Sequence, residues 1–336
     1  MKTVEKYVHQ EAPYYFDNGI RLSEGVTYVS KAKTLFWIDI YNALIHKVTD
    51  INDISTHSVW NATLENYEGS YPFDSSYPER IGVVFPIDNS RGVEDVYFGA
   101  KYGIAKMSYS TGKWEYVVPY ANSGLQKDWK NLRSNDGNVS PDGEIFIGIM
   151  HDFHSDVDFK DPKGALFKIN LPRRTCTLVL DKIMIPNAIN WDKDAKYAYF
   201  TDSLNYSIFK FPYKGSNLVV EDKSLFVDVK KYNAQYESPE PDGSFIDPAT
   251  DNIITAVWST NSVQRYNTKG ELVFKWVFPE TSRVSCCALA EGHMFVTTAN
   301  DVIDKDENPQ GLGGSIYKIP NVSSYTGSSK NTPITS

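Results

Sequence analysis

Hydrophobic and polar residues alternate along most of the chain in short runs that recur. Each recurring unit begins with a turn containing Asp, Gly or Lys, continues with an aromatic-rich run, and ends with a second alternating run after a short polar turn. Alternation with a period of two is typical of β-strands that bury one face. The unit occurs six times. Its first runs begin at Thr34, Asp95, Glu144, Tyr197, Asn252 and His293.

The six units are spaced at lengths that suit one kind of fold. The second runs cover residues 44–48, 103–107, 165–169, 207–211, 262–266 and 315–319. Equivalent hydrophobic residues in the first runs, from Phe36 to Phe295, lie 61, 49, 53, 55 and 41 residues apart. Such spacings match propeller blades, whose sheets bury their faces against their neighbours around an axis. The sequence therefore predicts an all-β fold, a six-bladed β-propeller.

The chain of 336 residues is predicted to form one domain. No stretch combines sustained 3.6-residue apolar periodicity with helix caps, so long helices are not expected. We assign residues 1–322 to the propeller and predict that residues 323–336, rich in Ser and Thr, form a flexible tail. Residues 61–79 form an insertion in the longest interval. Two interpretations of it stay open, a lid over one mouth of the propeller or a plain surface loop.

Composition and charge restrict the partners and the location. The chain has 42 acidic and 34 basic residues, a net charge of -8 and no basic run, so nucleic acid is not an expected partner. No apolar run is long enough to span a membrane, and residues 1–17 lack the apolar core of a signal peptide. Three cysteines show no pairing pattern. We expect a cytoplasmic protein, with the nucleus as an alternative; the oligomeric state stays open.

Four polar segments occupy equivalent positions in the repeats, at residues 22–26, 132–137, 185–188 and 239–243. Within them, Glu24, Arg133, Asn187 and Asp242 are separated by 109, 54 and 55 residues, about two, one and one repeats. Equivalent positions of successive blades converge on the axis. Carboxylate and amide oxygens brought together there suit a hard divalent cation, Ca²⁺ or Mg²⁺ rather than Zn²⁺. We predict Glu24, Asn187 and Asp242 as its ligands, although each alone also fits a turn or surface role.

Other residues in these segments carry less specific signals. Arg133 and Asn135 have the same phase and are predicted to bind substrate, with a structural ion pair as the alternative for Arg133. Asp136 fits an Asx-turn. His151 and His154 form an H-x-x-H pair without a third His or a Cys nearby, so we interpret them as part of a solvated loop rather than a zinc site.

The same segments resemble the regucalcin (senescence marker protein) and gluconolactonase family, in family order from about Gly19 to Tyr317. The matching motifs are Ser23-Glu24-Gly25, Leu35-Phe36-Trp37-Ile38-Asp39, Arg133-Ser134-Asn135-Asp136-Gly137, Pro186-Asn187-Ala188, Thr201-Asp202-Ser203 and Pro241-Asp242-Gly243. The resemblance implies a six-bladed propeller, a divalent ion, often Ca²⁺ or Zn²⁺, and hydrolysis of sugar lactones or related esters. It places metal ligands at Glu24, Asn187 and Asp242 and substrate-binding groups at Arg133 and Asn135.

Two positions depart from the family pattern. Family members often carry an acidic residue shortly after the Gly-x-Met that is Gly148-Ile149-Met150 here, and ungapped counting places Phe153 there, next to Asp152. The usual Pro-Asn-Gly is Pro186-Asn187-Ala188. Both changes concern the substrate more than the metal.

The sequence therefore predicts a divalent-metal-dependent lactonase, a carboxylic ester hydrolase of the gluconolactonase type. The cofactor is one divalent ion, with Ca²⁺ expected and Zn²⁺, Mg²⁺ or Mn²⁺ as alternatives. The ion would polarise the lactone carbonyl, with Asp242 as the base or the group that activates water. The expected partner is a small-molecule lactone or ester. The alternatives are a non-catalytic propeller that binds calcium or a protein partner, near Tyr71, Phe73 and Tyr77, or a hydrolase of another ester class.

Overall fold

The fold is described by a computed structural model of the chain. It describes residues 4–87, 93–155, 161–301 and 311–335. In these ranges the strands form six sheets, and the helices are short turns, of which α1 (Val229–Tyr232) is the α-helix. The predicted all-β, six-bladed β-propeller is confirmed.

The six blades follow one another along the chain, and each is an antiparallel meander that starts at the axis. Strand β1 spans Glu5–Val8. Blade 1 contains β2 (Ser23–Val29), β3 (Thr34–Asp39), β4 (Leu44–Val48) and β5 (His57–Asn61). Blade 2 contains β6 (Val83–Pro86), β7 (Asp95–Gly99), β8 (Gly103–Ser108) and β9 (Trp114–Pro119). Blade 3 contains β10 (Leu132–Val139), β11 (Ile145–His151), β12 (Gly164–Asn170) and β13 (Thr175–Ile183).

Blades 4 to 6 repeat this order with small variations. Blade 4 contains β14 (Pro186–Trp191), β15 (Tyr197–Asp202), β16 (Ser207–Lys214), β17 (Asn217–Leu218) and β18 (Ser224–Asp228). Blade 5 contains β19 (Glu240–Ile246), β20 (Ile253–Trp258), β21 (Ser262–Tyr266) and β22 (Leu272–Val277). Blade 6 contains β23 (Arg283–Ala290), β24 (His293–Ala299) and β25 (Ile316–Ile319).

The repeated runs of the sequence are the second and third strands of each blade. Their alternating residues pack between blades, as in the cluster that joins Phe36 of blade 1 to Phe98 and Trp114 of blade 2. Because these faces are covered on both sides of each blade, the core is a ring of inter-blade layers. The first, innermost strands carry the polar segments.

The N-terminal residues close this ring. Strand β1 pairs in parallel with β22 at the edge of blade 5. Tyr15 pairs with Ile316 of β25 at the edge of blade 6, and Leu22 pairs with Ala299 of the same blade. Both ends of the chain thus contribute to the last two blades.

The insertion packs against blade 2. Tyr67 lies edge-on to Trp114 at 4.8 Å, and Phe73 stacks on Tyr102 at 4.4 Å. Tyr71, Phe73 and Tyr77 are half-buried. The rings of Tyr71 and Phe73 pack on blade 2, and that of Tyr77 lies 5.0 Å from His154. A role for the insertion as a lid stays a prediction.

Residues 323–335 follow a defined path against the ends of blades 3 and 6, while Ser336 lies outside the described residues. The flexibility expected of this tail stays a prediction. In the described part of the chain, no helix has the length and apolar character needed to cross a membrane.

Candidate metal and substrate site on the propeller axis

The polar residues singled out by their spacing all lie on inner strands, at irregular points of the strand pairing. The register of the inner strand shifts between Glu24 and Thr27 in blade 1 and between Ser134 and Gly137 in blade 3. Equivalent shifts follow Pro186 in blade 4 and Pro241 in blade 5. A bulge re-aims a side chain that a regular strand would point into an inter-blade layer. The repeated irregularity therefore turns polar groups toward the axis.

Glycine makes this close approach of inner strands possible. Gly25, directly after Glu24, has a φ of +58°, a conformation that costs other residues energy. A Cβ at Gly243, directly after Asp242, would collide with Sγ of Cys286 in blade 6. Ala188, at the position where the family usually has glycine, is buried and has no such positive φ. Its Cβ is therefore accommodated in blade 4.

Hydrogen bonds connect the candidate residues of three neighbouring blades. Arg133 donates through Nη1 to Oδ1 of Asn135 at 2.9 Å, and Asn135 donates through Nδ2 to the carbonyl oxygen of Pro186 at 3.0 Å. Asn187 donates through Nδ2 to Oγ of Ser203 at 3.1 Å and to Oδ1 of Asp242. The structure thus brings the predicted residues of blades 3, 4 and 5 into one chain of contacts.

Glu24 of blade 1 interacts electrostatically with Asp242 of the same cluster. Burial raises the pKa of Asp242 well above its usual range, and the negative charge of Glu24 raises it further. Burial likewise raises the pKa of Glu24, with a smaller contribution from Asp136. Each of these three carboxyl groups is at most 8% exposed. Two acidic residues were predicted at the axis, and a third, Asp136, lies beside them.

The charge of this cluster is poorly compensated by the protein itself. Glu24 accepts from the N–H of Gly25 at 2.9 Å, and Asp136 accepts from the N–H of Gly137 at 2.7 Å. Among the described ion pairs, none involves Glu24, Asp136 or Asp242. Buried carboxylates without a partner are costly, and a bound cation removes that cost. The donor set therefore fits a divalent ion.

A metal site at this place would need a ligand other than a carboxylate, such as an amide. In the described part of the chain, no three His, Cys, Asp or Glu side chains are grouped to hold an ion by themselves. Asn187 now presents its nitrogen to Asp242, while its oxygen accepts from the N–H of Ala188 at 3.0 Å. To act as a metal ligand, the Asn187 amide would have to rotate so that its oxygen faces the ion.

Arg133 remains charged although it is buried. Burial lowers the pKa of its guanidinium to about 10, and Asp152, Glu24 and Asp242 act in the opposite direction. The ring of Phe153 lies 4.7 Å from the guanidinium carbon. The Nε atom is buried without a hydrogen-bond partner. Arg133 is thus held by the amide of Asn135, the carbonyl oxygen of Ser134 and an aromatic ring, and it takes part in none of the ion pairs among the described residues.

Asp152, whose charge also acts on Arg133, belongs to a buried ion network. It binds Nε of Arg80 at 3.1 Å and Nζ of Lys101, and it faces Nδ1 of His154 at 3.3 Å. Lys101 lowers the pKa of Asp152 against the opposing effect of burial. Phe153 therefore takes the place beside Arg133 in which the sequence comparison expected an acid.

The two histidines do not form a metal pair. His154 donates through Nε2 to the carbonyl oxygen of Lys130 at 3.0 Å, whereas Nε2 of His151 lies 3.2 Å from the carbonyl oxygen of Asp161. Their ring nitrogens face different backbone groups. All three cysteines are free and buried.

Comparisons with known proteins agree with this architecture. Residues 22–300 match the family described as the SMP-30/Gluconolactonase/LRE-like region. The chain belongs to this family. The match covers all four polar segments of the axis and most of the six blades.

Members with known sequences or structures cover most of the chain. An uncharacterised protein of Saccharomyces cerevisiae is 41% identical over 342 residues, which are 95% of this chain and 93% of that protein. Human regucalcin is 30% identical over 214 residues, 61% of this chain and 68% of regucalcin. The crystal structure of regucalcin from Agrobacterium tumefaciens, named a calcium-binding protein, superposes with a TM-score of 0.74 at 19% identity, covering 99% of this chain and 100% of that one. The last match shows a shared fold.

Sequence reasoning missed three parts of this SMP-30/gluconolactonase-type axis. Asp136 was interpreted as a turn residue, although its place next to Asn135 put it in phase with the other acids. The network of Arg80, Lys101 and Asp152 joins distant segments and has no local signal. The proximity of Lys330, from the C-terminal tail, to Glu24 could not be foreseen from a low-complexity segment.

Proposed function

We propose that the protein is a divalent-metal-dependent lactonase, a hydrolase of cyclic carboxylic esters, with Glu24, Asn187 and Asp242 as metal ligands. Membership of a family that includes gluconolactonases supports the class of reaction. The observation that carries the proposal is the meeting of buried acidic side chains, which take part in none of the described ion pairs, with an amide and with a guanidinium whose Nε has no hydrogen-bond partner. Ca²⁺ is the expected ion, with Zn²⁺, Mg²⁺ and Mn²⁺ as alternatives.

The chain's own residues divide the work of ester hydrolysis. A divalent ion held by the three ligands would supply Lewis acidity toward the lactone carbonyl. Asp242 takes a proton from the water that attacks the carbonyl carbon. Collapse of the tetrahedral adduct breaks the ring carbon–oxygen bond, and the proton passes to the departing alkoxide, which gives the open hydroxy acid.

Arg133 and Asn135 position the substrate and stabilise negative charge. The unpartnered Nε of Arg133 is a donor available to an oxygen that gains charge in the transition state. Asn135 fixes the guanidinium by accepting from Nη1. Because this donor is already oriented and desolvated, it strengthens as charge develops without rearrangement.

Substitution of Asp242 tests the assignment. We expect Asp242→Asn to reduce lactone turnover at least about 100-fold, the usual contribution of a general base. The fold should survive, because the change removes a buried carboxylate and keeps the side-chain shape. Glu240→Gln is the matched control, since Glu240 lies two residues away on β19 and binds Oγ of Ser238 instead.

Turnover and metal binding are measured together on both variants, by proton release and by calorimetric titration. Loss of both in Asp242→Asn, with both retained in Glu240→Gln, is the expected result. Full turnover by Asp242→Asn would refute its role as base and ligand.

A binding role without catalysis is the second candidate. The observation in its favour is that Glu24, Asn187 and Asp242 are all buried, with Phe153 over Arg133. A propeller of this kind would bind Ca²⁺ stoichiometrically and hydrolyse no lactone. The same pair of measurements separates the two candidates, since binding without turnover supports only this one.

A further inference from the structure

The axial channel has a second mouth, at the ends of the inner strands. In blade 3, Arg133 lies near the start of β10 and Val139 is its last residue. At about 3.3 Å per residue, six residues of strand place them about 20 Å apart. Since the inner strands run the same way, their last residues mark the mouth far from the substrate residues.

The C-terminal segment 323–335 lies across this far mouth. Ser328 pairs with Ala290, the last residue of β23 in blade 6. Asn331 donates through Nδ2 to the carbonyl oxygen of Val139 in blade 3 at 3.1 Å. The N–H of Ile334 donates to the carbonyl oxygen of Gly143 at 3.0 Å. Blades 6 and 3 stand opposite each other in a ring of six, so the segment crosses the axis.

Further residues around the segment belong to other blades, including Pro86 of blade 2. One cavity, of about 240 Å³, is bounded by Asn190 of blade 4, Ile246 of blade 5 and Ser328 of the segment. A second cavity, of about 230 Å³, is bounded by Thr27 of blade 1 and Lys330. Pro333 is buried. The segment thus faces the ends of all six blades.

Lys330 is the charged residue between the two anchors of the crossing. Its N–H donates to Oγ of Ser328 at 3.1 Å, and the same hydroxyl donates to its carbonyl oxygen at 3.2 Å. Burial raises the pKa of Glu24 and Asp136, and the ammonium of Lys330 opposes this rise in both. These acids belong to the inner strands of blades 1 and 3. Lys330 lies between the anchors on blades 6 and 3 and lines a cavity with Thr27, which follows Glu24 on β2. Its charge therefore lies close to the channel.

We propose that residues 323–335 plug the far mouth of the channel and that Lys330 is its internal cation, which limits the affinity of the axial site for a divalent metal ion. The charge of Arg133 acts on Glu24 and Asp242, and that of Lys330 acts on Glu24 and Asp136. Removal of the Lys330 ammonium takes one positive charge from the surroundings of these acids, so the site should attract a divalent ion more strongly. The docking of residues 323–335 is argued from contacts alone. The effect of Lys330 on metal affinity also depends on the proposed function, that is, on the proposed metal site.

Docking of the segment is tested by trypsin. Lys330 is a cleavage site, and a docked segment protects the bond to Asn331 because a protease needs an extended, accessible chain. Mass spectrometry of the native full-length protein should show cleavage there at least about 100-fold slower than in a synthetic peptide of residues 323–336. Cleavage at the rate of the peptide would overturn the plug.

The charge effect is tested by calorimetric titration of chelator-stripped protein with Ca²⁺ and with Mn²⁺. We expect Lys330→Met to bind the ion on the order of tenfold more tightly than the wild type. Lys214→Met, an exposed lysine of blade 4, makes the same change of net charge away from the axis and should leave the affinity unchanged. Equal affinities for the wild type and Lys330→Met would overturn the internal-cation role.

A measurement without metal keeps this result separate from the proposed function. In excess chelator, Lys330→Met leaves the buried carboxylates without their cation and should melt on the order of 2 °C below Lys214→Met. If the wild type binds no divalent ion, the proposed metal site fails, and this comparison alone decides the role of Lys330. Equal melting temperatures would then exclude it.

Discussion

Phe153 determines the character of the channel mouth at the scale of a single residue. Its ring lies 4.7 Å from the guanidinium carbon of Arg133 and 5.3 Å from that of Arg80. Asp152, the neighbouring acid, is occupied by Arg80 and Lys101. The wall beside Arg133 is therefore apolar. Under the proposed function, we expect a lactone with an apolar face to fit this wall better than one that carries a hydroxyl on every carbon.

Substitution of Phe153 by Glu should change substrate preference. A carboxylate in this position accepts hydrogen bonds from substrate hydroxyls, each worth about 1 kcal/mol. We expect the ratio of kcat/KM for a polyhydroxylated lactone over an alkyl lactone to rise about tenfold. Phe153→Leu keeps the wall apolar and should keep the ratio. An unchanged ratio in Phe153→Glu would show that Phe153 does not face the substrate.

Residues of the axis could be predicted where they recur at the same position of the sequence repeat. Glu24, Asn187 and Asp242 were found because every blade places the same strand position at the axis, and the structure does bring them together. Their metal-binding role stays a prediction. The partners of Asp152 and the approach of Lys330 could not be predicted, because they depend on how distant segments meet in space.

At the scale of strands, alternation predicted the second and third strands of each blade, since these have faces buried between blades. It did not predict the bulges of the inner strands. At these bulges the inner strands pack closely, as between Gly243 of β19 and Cys286 of β23. Such a contact depends on the diameter of the ring, which no local pattern encodes.

Gly243→Ala tests this close packing. The added Cβ would meet Sγ of Cys286 and force blades 5 and 6 apart, so we expect a loss of about 1–3 kcal/mol in the free energy of unfolding. Gly19→Ala is the control, because its new Cβ meets only Oδ1 of Asp17 at 3.2 Å. Urea unfolding of both variants measures the difference. A loss in Gly243→Ala no larger than in Gly19→Ala would contradict the account of the inner strands.

His46 of β4 makes blade 1 sensitive to acid. Burial, with a smaller effect of His57, lowers the pKa of His46 to about 3, below the value of about 6.5 in the unfolded chain. Between these two values the unfolded state binds the additional proton, so stability decreases as the pH falls from 6.5 toward 3, by up to about 1.4 kcal/mol per pH unit.

His46→Gln removes this titration. Relative to the wild type, the variant should gain about 2 kcal/mol between pH 7 and pH 5, whatever the substitution costs at pH 7. Urea unfolding at both pH values gives the comparison. If the free energies of unfolding of the two proteins changed equally with pH, the pKa of His46 would be the same in the folded and the unfolded chain.

At the scale of the whole molecule, the N-terminal residues hold the ring closed. Tyr15 pairs with Ile316 of blade 6 and lies 5.3 Å from Trp37 of blade 1, so it touches the first and the last blade. Tyr7 lies exposed on β1, at the outer edge of blade 5. We therefore expect closure of the ring to depend on the Tyr15 contact more than on the pairing of β1.

Tyr15→Ala should destabilise the protein more than Tyr7→Ala. We expect a loss of roughly 2 kcal/mol for the half-buried Tyr15 and under about 1 kcal/mol for Tyr7. Urea unfolding of the two variants checks the order. Equal losses of unfolding free energy in the two variants would show that the Tyr15 contact does not hold the ring closed.

The most direct test of the lactonase proposal is proton release from a panel of aldonolactones and alkyl lactones with chelator-stripped protein. Ca²⁺, Mg²⁺, Mn²⁺ and Zn²⁺ are restored one at a time. We expect release above the spontaneous rate only with a divalent ion present, and its loss in Asp242→Asn. Hydrolysis that proceeds at the same rate without any metal, or no hydrolysis with any of the four ions, would contradict the proposal.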